Sequence, residues 1–399
     1  MRTLQVVNVR WYNATAWYGV TLSRILGEAG HPSLIVGLAD TDPLLQAQAM
    51  GLKCAELPLN SMAPHRLPAL VRGMEELLAE FRPDVVNCHR GESFILWALL
   101  KRRFRFALVR TRGDQRLPRN NIPNRWLHQR AADAVVSTNS RMARHFLTRL
   151  GVPEDRLFTV LGGVDTARFH ACAEARARAR AAFGIDPHDF VMGIVGRMDE
   201  VKGIRETVRA LALARNSWPG GGKLRLLVIG FASQYSVGDV NAWSEEAGLG
   251  PLGGPEAPVV VSGRVERPED AINALDMGIL ASLGSETIAR AALEIMACGV
   301  PLIGSTVGVM PDILPEGLLF TPGDVPGMSG MMLRAADPAW LDAARSACCG
   351  RILGEAASHV PPLVSGACPS GGLTLEDFRE QTLEVYARAL ERAGLPKGR

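Results

Sequence analysis

Two glutamates, Glu286 and Glu294, are the residues of this chain whose spacing points most directly to chemistry. If a helix begins near Thr287, Glu286 lies in the loop at its positive end and Glu294 lies about two turns inside. The backbone amides of Thr287 and Ile288 would then bind an anion such as a phosphate. Carboxylates on either side would contact hydroxyl groups, which suits a nucleotide sugar. The competing interpretation is a pair of solvated glutamates on a surface helix.

A second candidate site follows the apolar run Phe190–Val195. Gly196 permits a tight turn, and Arg197 and Lys202 place two cations near it. Ligands of doubly wound sheets bind at the carboxyl ends of strands, and fixed cations there stabilise the charge that develops on a leaving nucleoside diphosphate. A surface turn with solvated basic side chains is the alternative. The chain lacks a phosphate-loop motif and a Gly-x-Gly-x-x-Gly after its first strand, which argues against ATP or NAD as the ligand.

The elements that must position these residues alternate between short β-branched runs and amphipathic helices, which predicts parallel sheets covered on both faces. In the first half the predicted strands are Leu4–Val9, Val85–Cys88, Ala107–Arg110, Ala134–Ser137 and Phe158–Leu161. In the second half they are Phe190–Val195, Leu224–Ile229, Val259–Ser262, Met277–Ala281 and Pro301–Gly304. The pattern predicts two Rossmann-type domains.

Four helices are predicted with useful boundaries. Apolar periodicity favours helices over Leu67–Phe81 and Ile204–Leu213, and a helix over Val20–Ala29 that stops at Gly30. Pro361–Gly372 is rich in Pro, Gly and Ser and is typical of a linker. Thr374 with Asp377 is a capping-box start for a last helix, which after a linker would cross back to the first domain.

Length and composition indicate a globular protein of two domains, with 399 residues, 47% of them hydrophobic and 21% charged. No apolar run approaches the roughly 20 residues that span a bilayer, and the first ten residues are too polar for a signal peptide. The seven cysteines form no metal-type pair of pairs, so free cytosolic thiols are the simpler interpretation. We therefore expect a cytoplasmic location and no metal site.

Positive charge is concentrated in one stretch, although the net charge is only +3. The basic residues are Lys101, Arg102, Arg103, Arg105, Arg110, Arg112, Arg116, Arg119, Arg125, Arg130, Arg141, Arg144 and Arg149. Only Asp114 and Asp133 oppose them within this stretch. Such a region attracts a phosphorylated glycolipid, the inner membrane face or a nucleic acid, and solvated helix faces are the alternative.

Taken together, these motifs resemble the family 4 retaining glycosyltransferases of the GT-B fold. The similarity runs through Gly19, Arg82–His89, Gly162–Asp165 with Phe169, Gly196–Gly203 and Glu286–Pro301. It implies an α/β protein with two Rossmann-like, doubly wound parallel-sheet domains that face a central cleft. The expected parts are an acceptor-side domain at 1–168, a nucleotide-sugar domain at 169–372, and a helix at 373–399 that packs back on the first domain.

The resemblance also implies how the donor is bound. Arg197 and Lys202 would hold the diphosphate, Glu286 the transferred sugar and Glu294 the ribose hydroxyls, with Arg197, Lys202 and Glu286 as the catalytic residues. The other donor-side residues would be Gly19, Gly196, Arg264, Val265, Thr287 and Ile288. Gly19 would let a loop approach the diphosphate, and Arg264 and Val265 would lie against the base. The family is metal-independent, so a UDP-, GDP- or ADP-linked sugar is expected as substrate and no cofactor.

The chain departs from the family pattern after the first glutamate. Where the family usually has Phe-Gly, this chain has Ile288 and Ala289. Replacing Gly by Ala narrows the space for a sugar. This departure favours one alternative, a catalytically impaired protein of the same fold that binds a nucleotide sugar.

A further departure concerns the acceptor side, where many members carry a His after the strand at Ala107–Arg110. Here Arg112 and Arg116 are predicted to hold an acidic or phosphorylated acceptor, and Asp114 to orient its hydroxyl or simply to occupy a turn beside Gly113. His89, at a strand end, is a further acceptor-side candidate, with a structural role as the alternative.

The leading hypothesis is a retaining glycosyltransferase that moves a sugar from a nucleotide sugar to an anionic glycan or glycolipid. A lipopolysaccharide-core or envelope-glycan acceptor, met by peripheral contact with the inner membrane, is the expected setting. The departing phosphate would take the acceptor proton, so catalysis would rest on positioning and on fixed positive charge. A nucleotide-sugar epimerase is another alternative. A nucleic-acid-binding protein would have no use for Glu286 or Glu294, and no nucleic acid is expected as partner.

Overall fold

The computed structural model describes residues 1–61, 63–254, 256–355 and 371–396. Packing divides the chain into two compact units. The first contains Met1–Gly163 and the residues from Leu375 onward, and the second begins at Val164 and includes Gly372–Thr374. The predicted linker at 361–372 lies outside the described residues except for its last two positions.

The first unit is built on a seven-stranded sheet in the order β3-β2-β1-β4-β5-β6-β7. Its strands are β1 Thr3–Val7, β2 Ser33–Gly37, β3 Cys54–Glu56, β4 Val85–Cys88, β5 Ala107–Arg112, β6 Ala134–Ser137 and β7 Leu157–Thr159. All of its pairings are parallel. The carboxyl ends of these strands therefore meet at one edge of the sheet.

Helices cover both faces of this sheet. They are α1 Ala14–Glu28, α2 Asp42–Ala49, α3 Leu67–Phe81, α4 Phe94–Phe104, α5 Ile122–Trp126 and α6 Ser140–His145. Helices α5 and α6 continue into π-helical turns, Leu127–Ala131 and Phe146–Leu150, and a 3₁₀ turn at Glu154–Arg156 precedes β7.

The second unit has a six-stranded sheet in the order β10-β9-β8-β11-β12-β13. Its strands are β8 Phe190–Val195, β9 Leu224–Ile229, β10 Val259–Val261, β11 Met277–Leu280, β12 Leu302–Ser305 and β13 Leu319–Phe320. All of its pairings are parallel too. The strand order reverses between β8 and β11, which is where doubly wound sheets bind their ligands.

The helices of the second unit are α7 Ala173–Ala182, α8 Ile204–Arg215, α9 Val237–Glu246, α10 Pro268–Asn273, α11 Arg290–Ala297, α12 Met310–Ile313, α13 Val325–Arg334 and α14 Pro338–Leu353. Short 3₁₀ turns occur at Glu200–Lys202 and Glu316–Leu318. The last helix, α15 Leu375–Arg392, belongs to the first unit.

A buried hydrogen-bond network ties α15 to the centre of the first sheet. The hydroxyl of Tyr386 accepts hydrogen bonds from Gln5 Nε2 at 3.1 Å and from Asn87 Nδ2 at 2.9 Å. Asn87 Oδ1 accepts from the Thr111 hydroxyl at 2.8 Å. These side chains come from β1, β4 and β5, so the position of α15 depends on the core of the sheet as well as on its own apolar face.

The predicted fold class is confirmed by the two Rossmann-like parallel sheets. The sequence pattern missed the two short strands β3 and β13, and also β2, although Leu34–Val36 within it are apolar and buried. It also placed the start of the first helix too late. That helix begins at Ala14 because the Asn13 side chain accepts a hydrogen bond from the Ala16 amide at 3.1 Å and caps it.

Candidate functional site

Two of the predicted donor-side residues are in direct contact in the second unit. Lys202 Nζ lies 2.5 Å from Glu286 Oε1, and the hydroxyl of Ser282 donates to the same oxygen at 2.5 Å. The Glu286 side chain is 7% exposed. Among the described residues none donates to its second oxygen, Oε2. The cation follows β8 and the carboxylate follows β11, so the pair sits at the point where the strand order reverses.

Two glycines allow close backbone approaches around this pair. Gly203 has φ +67°, and a β-carbon there would lie 2.1 Å from the carbonyl oxygen of Ala281, just after β11. Gly308 has φ +62°, and a β-carbon there would lie 1.7 Å from the carbonyl oxygen of Glu286. The backbones approach this closely only because both side chains are absent.

Arg197, the other predicted cation, is oriented differently. Its guanidinium pairs with Asp199 at 2.9 Å, and its side chain is 64% exposed. The turn before it is tight, because Gly196 has φ +147° and a β-carbon at Gly230 would lie 1.9 Å from its carbonyl oxygen. Arg197 is therefore a solvent-facing cation at the end of β8, held by a single carboxylate.

Glu294 lies in the second turn of α11 and is mostly buried. Arg290 Nη2, one turn earlier, lies 3.1 Å from its Oε1. Burial raises the pKa of the Glu294 carboxyl, while the charges of Arg290 and Arg168 oppose that rise. Arg168 also pairs with Glu269 at 2.9 Å. Glu294 is thus a shielded hydrogen-bond acceptor beside the cations of Arg290 and Arg168, with the carboxylate of Glu269 also nearby.

The predicted start of this helix near Thr287 is wrong. Helix α11 begins at Arg290, and Ala289 precedes it with φ +49° and ψ +48°, a left-handed conformation. Thr287 and Ile288 therefore lie in the loop before the helix, and the Ile288 side chain is fully buried. The backbone of Ala289 takes a conformation that favours glycine, which fits a position where the family usually has Gly.

The residues predicted to lie against the base also come together at strand ends. The guanidinium of Arg264, after β10, lies 4.1 Å from the ring centroid of Phe231, after β9. Val265 follows and is partly exposed. A cation over an aromatic ring leaves a flat, partly charged surface at this edge of the sheet.

Gly19 was predicted to lie just before the first helix, where a loop would approach the diphosphate. This position is wrong, because the helix already begins at Ala14. Gly19 lies inside α1, where a β-carbon would come within 2.6 Å of Val7 Cγ2 and 3.1 Å of His89 Cδ2. Its missing side chain lets the helix pack against strand ends. His89 is buried beside it, with Nε2 at 3.0 Å from Gln5 Oε1. Burial and the charge of Arg110 lower the pKa of His89 to about 3, which favours the structural interpretation.

The three residues after Thr111 that were predicted on the acceptor side form one small cluster at the end of β5. Arg112 Nη2 lies 2.7 Å from Asp114 Oδ1 and donates to the carbonyl oxygen of Arg116 at 2.5 Å. Arg112 is largely buried, whereas the Arg116 side chain is exposed. Asp114 thus acts first as the partner of Arg112.

Arg110 is a buried cation, although its sequence neighbourhood groups it with the basic surface residues. Its Nη1 donates to the carbonyl oxygens of Cys88 and Thr111, both at 2.6 Å, and its guanidinium lies 5.6 Å from the Phe94 ring centroid. Burial and the charge of Arg112 lower its pKa to about 9. Among the described residues no carboxylate forms an ion pair with it. Its place inside a strand of a parallel sheet covered on both faces was the available signal, because side chains on both faces of such a strand are buried.

Part of the basic stretch is neutralised by ion pairs. Lys101 pairs with Asp133 at 2.6 Å, and Arg103 pairs with Glu75 of α3. In the described ranges no group of three or more His, Cys, Asp or Glu side chains is arranged to hold a metal ion. Over the same ranges no helix is long and apolar enough to cross a membrane.

Comparison with known proteins covers both units. A model described as Glycosyltransferase Family 4 matches residues 16–168, and one described as Glycosyl transferases group 1 matches residues 189–337. The D-inositol 3-phosphate glycosyltransferase of Pseudarthrobacter chlorophenolicus is 27% identical over 273 residues, which is 63% of each chain. That match therefore spans less than two thirds of the relative's length.

Solved structures show the same fold. A glycosyltransferase from Rickettsia africae ESF-5 aligns with a TM-score of 0.80 at 14% identity over 98% of both chains. Anabaena Alr3699/HepE in complex with UDP aligns with a TM-score of 0.77 at 16% identity, over 97% of this chain and all of that one. By its two matched domains and its architecture, the chain belongs to the family 4 glycosyltransferases of the GT-B fold.

Proposed function

We propose that the protein is a retaining glycosyltransferase that moves a sugar from a nucleotide sugar to a phosphorylated, hydroxyl-bearing acceptor. The observation that carries this proposal is the Lys202–Glu286 pair at the switch point of the second sheet. A cation and a carboxylate in contact there offer one group for a phosphate and one for a sugar hydroxyl. The solved relative that binds UDP supports a nucleotide as part of the donor.

In the proposed mechanism, Lys202 and Arg197 stabilise the charge that grows on the departing diphosphate. Glu286 keeps Lys202 in place through Oε1 and accepts a hydroxyl of the transferred sugar at Oε2. Glu294 accepts hydrogen bonds from the ribose hydroxyls. The departing phosphate takes the acceptor proton, so no enzyme nucleophile is required.

For the acceptor, we propose that its anionic group binds near Arg110 and Arg112 of the first unit. Arg110 is buried without a paired carboxylate in the described part of the chain, and an anion nearby would offset that charge. The relatives named for D-inositol 3-phosphate support a phosphorylated polyol as the first acceptor to test. A phosphorylated lipopolysaccharide-core glycan shares this chemistry and is the second.

The test is a screen of product formation with UDP-, GDP- and ADP-linked sugars against both acceptors. Each active pair is repeated with Glu294→Ala and, as a matched control, with Glu266→Ala, an exposed glutamate of the same unit. Glu294→Ala should raise the donor KM, whereas Glu266→Ala should behave as wild type. Epimerised donor in the absence of any acceptor would favour an epimerase instead.

A protein that binds the donor without transferring or hydrolysing it would favour the catalytically impaired alternative. Thermal stabilisation by the nucleotide alone detects this case, because a ligand that binds the folded state raises its stability by mass action. We further propose that transfer needs no metal ion. Activity in excess EDTA should then match activity without it.

We also propose that the first unit makes a peripheral contact with an anionic membrane. Two of its most exposed apolar side chains are Leu99 on α4, 65% exposed, and Ile122 on α5, 84% exposed. An exposed arginine follows each of them three residues later in the sequence, Arg102 after Leu99 and Arg125 after Ile122. Apolar side chains beside basic ones are the combination by which interfacial helices bind anionic lipid.

A further inference from the structure

The first unit has a second recessed surface, away from the residues discussed so far. This groove, here the Trp11 groove, has a volume of about 890 Å³ and is lined by residues that follow three neighbouring strands, β1, β2 and β3. Its aromatic and charged residues are Arg10, Trp11, Asp40, Asp42, Glu56 and Arg66. The volume falls within the range of roughly 300–1,000 Å³ that small-molecule sites occupy.

The charges of the groove do not suit an anion. Three carboxylates, Asp40, Asp42 and Glu56, outnumber the two guanidinium groups. Among the described residues none of these five groups forms an ion pair, so all are available to a ligand. The Arg110 and Arg112 region, in contrast, is dominated by cations. The groove therefore favours a neutral ligand with many hydroxyl groups, which can donate to carboxylates and accept from guanidinium groups.

Trp11 supplies the apolar contact that such a ligand needs. Its side chain is 74% exposed, in the loop between β1 and α1. One exposed tryptophan is by itself ordinary. At the wall of a groove lined with hydrogen-bonding groups, however, its flat face can cover the C–H face of a sugar ring while the polar groups hold the hydroxyls.

A buried amide fixes one residue of the groove wall. Asn8 Nδ2 donates to Oδ1 of Asn60, a groove residue, at 2.7 Å, and to Glu92 Oε2 at 3.3 Å. Asn8 is 1% exposed, and in the described part of the chain its own Oδ1 has no hydrogen-bond partner. Asn8 is not one of the groove's lining residues, so its amide supports the groove from behind by fixing the position of Asn60. Glu92 in turn pairs with Arg90, so polar contacts continue from the groove wall through Asn8 and Glu92 to a cation, Arg90.

We propose that the Trp11 groove binds a neutral saccharide unit of the acceptor, by stacking on Trp11 and by hydrogen bonds to Asp40, Asp42 and Glu56. The assignment of this saccharide to the acceptor rests on the proposed function, whereas saccharide binding at the groove does not. The groove would then select acceptors that carry an uncharged sugar next to their anionic group.

The test labels the seven tryptophans with 5-fluorotryptophan and follows their ¹⁹F signals by NMR. Maltotriose, α-mannotriose and N-acetylchitotriose are titrated in turn, with inorganic phosphate as the anionic comparison. At least one trisaccharide should shift the signal that Trp11→Phe removes, and phosphate should not. Isothermal titration calorimetry, which needs no Trp11 signal, should show that Trp11→Ala weakens that binding about tenfold, which is the scale of one aromatic contact. Trp126→Ala, an exposed tryptophan outside the groove, should leave it unchanged.

The inference is overturned if none of the three trisaccharides shifts the Trp11 signal, or if Trp11→Ala and Trp126→Ala bind equally well. A transfer assay separates this result from the proposed function. With an active donor and an acceptor that carries an uncharged sugar beside its anionic group, Trp11→Ala should raise the acceptor KM and leave the donor KM unchanged. Saccharide binding without transfer would refute the proposed function alone, and transfer with an unchanged acceptor KM would refute the groove alone.

Discussion

Lys202 and Glu286 are 84 residues apart in the chain, yet their side chains meet at 2.5 Å at the carboxyl ends of β8 and β11. The pair is mostly shielded from water, with Lys202 21% and Glu286 7% exposed. Each charge therefore depends on the other for its stability in the folded protein. The contact that we propose as part of a donor site also contributes to holding the second unit together.

We expect Lys202→Met to destabilise the second unit by about 3–5 kcal/mol, because Glu286 would be left as a buried, uncompensated charge. The double variant Lys202→Met with Glu286→Gln should recover much of that loss. Urea unfolding of the four proteins in this double-mutant cycle gives the coupling energy. If the double variant instead loses the sum of the two single-variant losses, the pair is not coupled.

Arg197→Ala should separate catalysis from stability. Because the Arg197 side chain is largely exposed, the variant should unfold like wild type. If Arg197 stabilises the departing diphosphate, kcat should nevertheless fall by more than about a hundredfold, or roughly 3 kcal/mol. Steady-state kinetics beside urea unfolding checks both parts. Arg205→Ala, which removes an exposed arginine of α8, is the matched control.

Ala289→Gly should stabilise the protein by about 1 kcal/mol, because it relieves a left-handed alanine before α11. The gain is net of the greater flexibility of glycine in the unfolded chain. Thermal unfolding measures it, with Ala291→Gly in the first turn of α11 as a control that should destabilise. A loss of stability in Ala289→Gly would contradict the strain argument.

His128 should make the first unit sensitive to acid. Burial and the charge of Arg110 lower its pKa to about 3, against 6.5 in the unfolded chain. Between these values the unfolded state binds one more proton, so stability is full above pH 6.5 and falls by about 1.4 kcal/mol per pH unit below it. Urea unfolding from pH 7 to 5 should show a shallower slope for His128→Phe, by one proton. His65→Phe, which changes an exposed histidine, should keep the wild-type slope.

Membrane contact should depend on the exposed apolar residues of α4 and α5. Leu99→Asn with Ile122→Asn should reduce co-sedimentation with phosphatidylglycerol vesicles several-fold, because it removes apolar area that lipid would bury. Leu213→Asn, at an exposed site on α8, should have no effect. Wild-type binding should weaken as salt rises. Equal binding of all three proteins would contradict the proposed surface.

Much of the fold could be read from the chain because buried parallel strands are continuous apolar runs. Val85–Cys88, Ala134–Ser137, Phe190–Val195 and Leu224–Ile229 were predicted with both ends correct. Helix starts were harder, since they depend on a few local contacts. Asn13 caps α1 so that it begins at Ala14 and not at the predicted Val20. The left-handed backbone of Ala289 keeps α11 from beginning before Arg290.

The sequence by itself, through residue types, spacing and family resemblance, identified Lys202, Glu286 and Glu294 and the chemistry that they suit. Tertiary structure decided which of them touch: the reversal of strand order places β11 beside β8, and glycine at 203 lets the loop after β8 approach the end of β11. Glycine at 308, after β12, lets a third loop approach Glu286. It also decided that Arg110 is buried and that residues following β1, β2 and β3 share a groove. Apolar periodicity shows which face of a helix or strand is buried. The pairing of the strands, in contrast, decides which loops become neighbours.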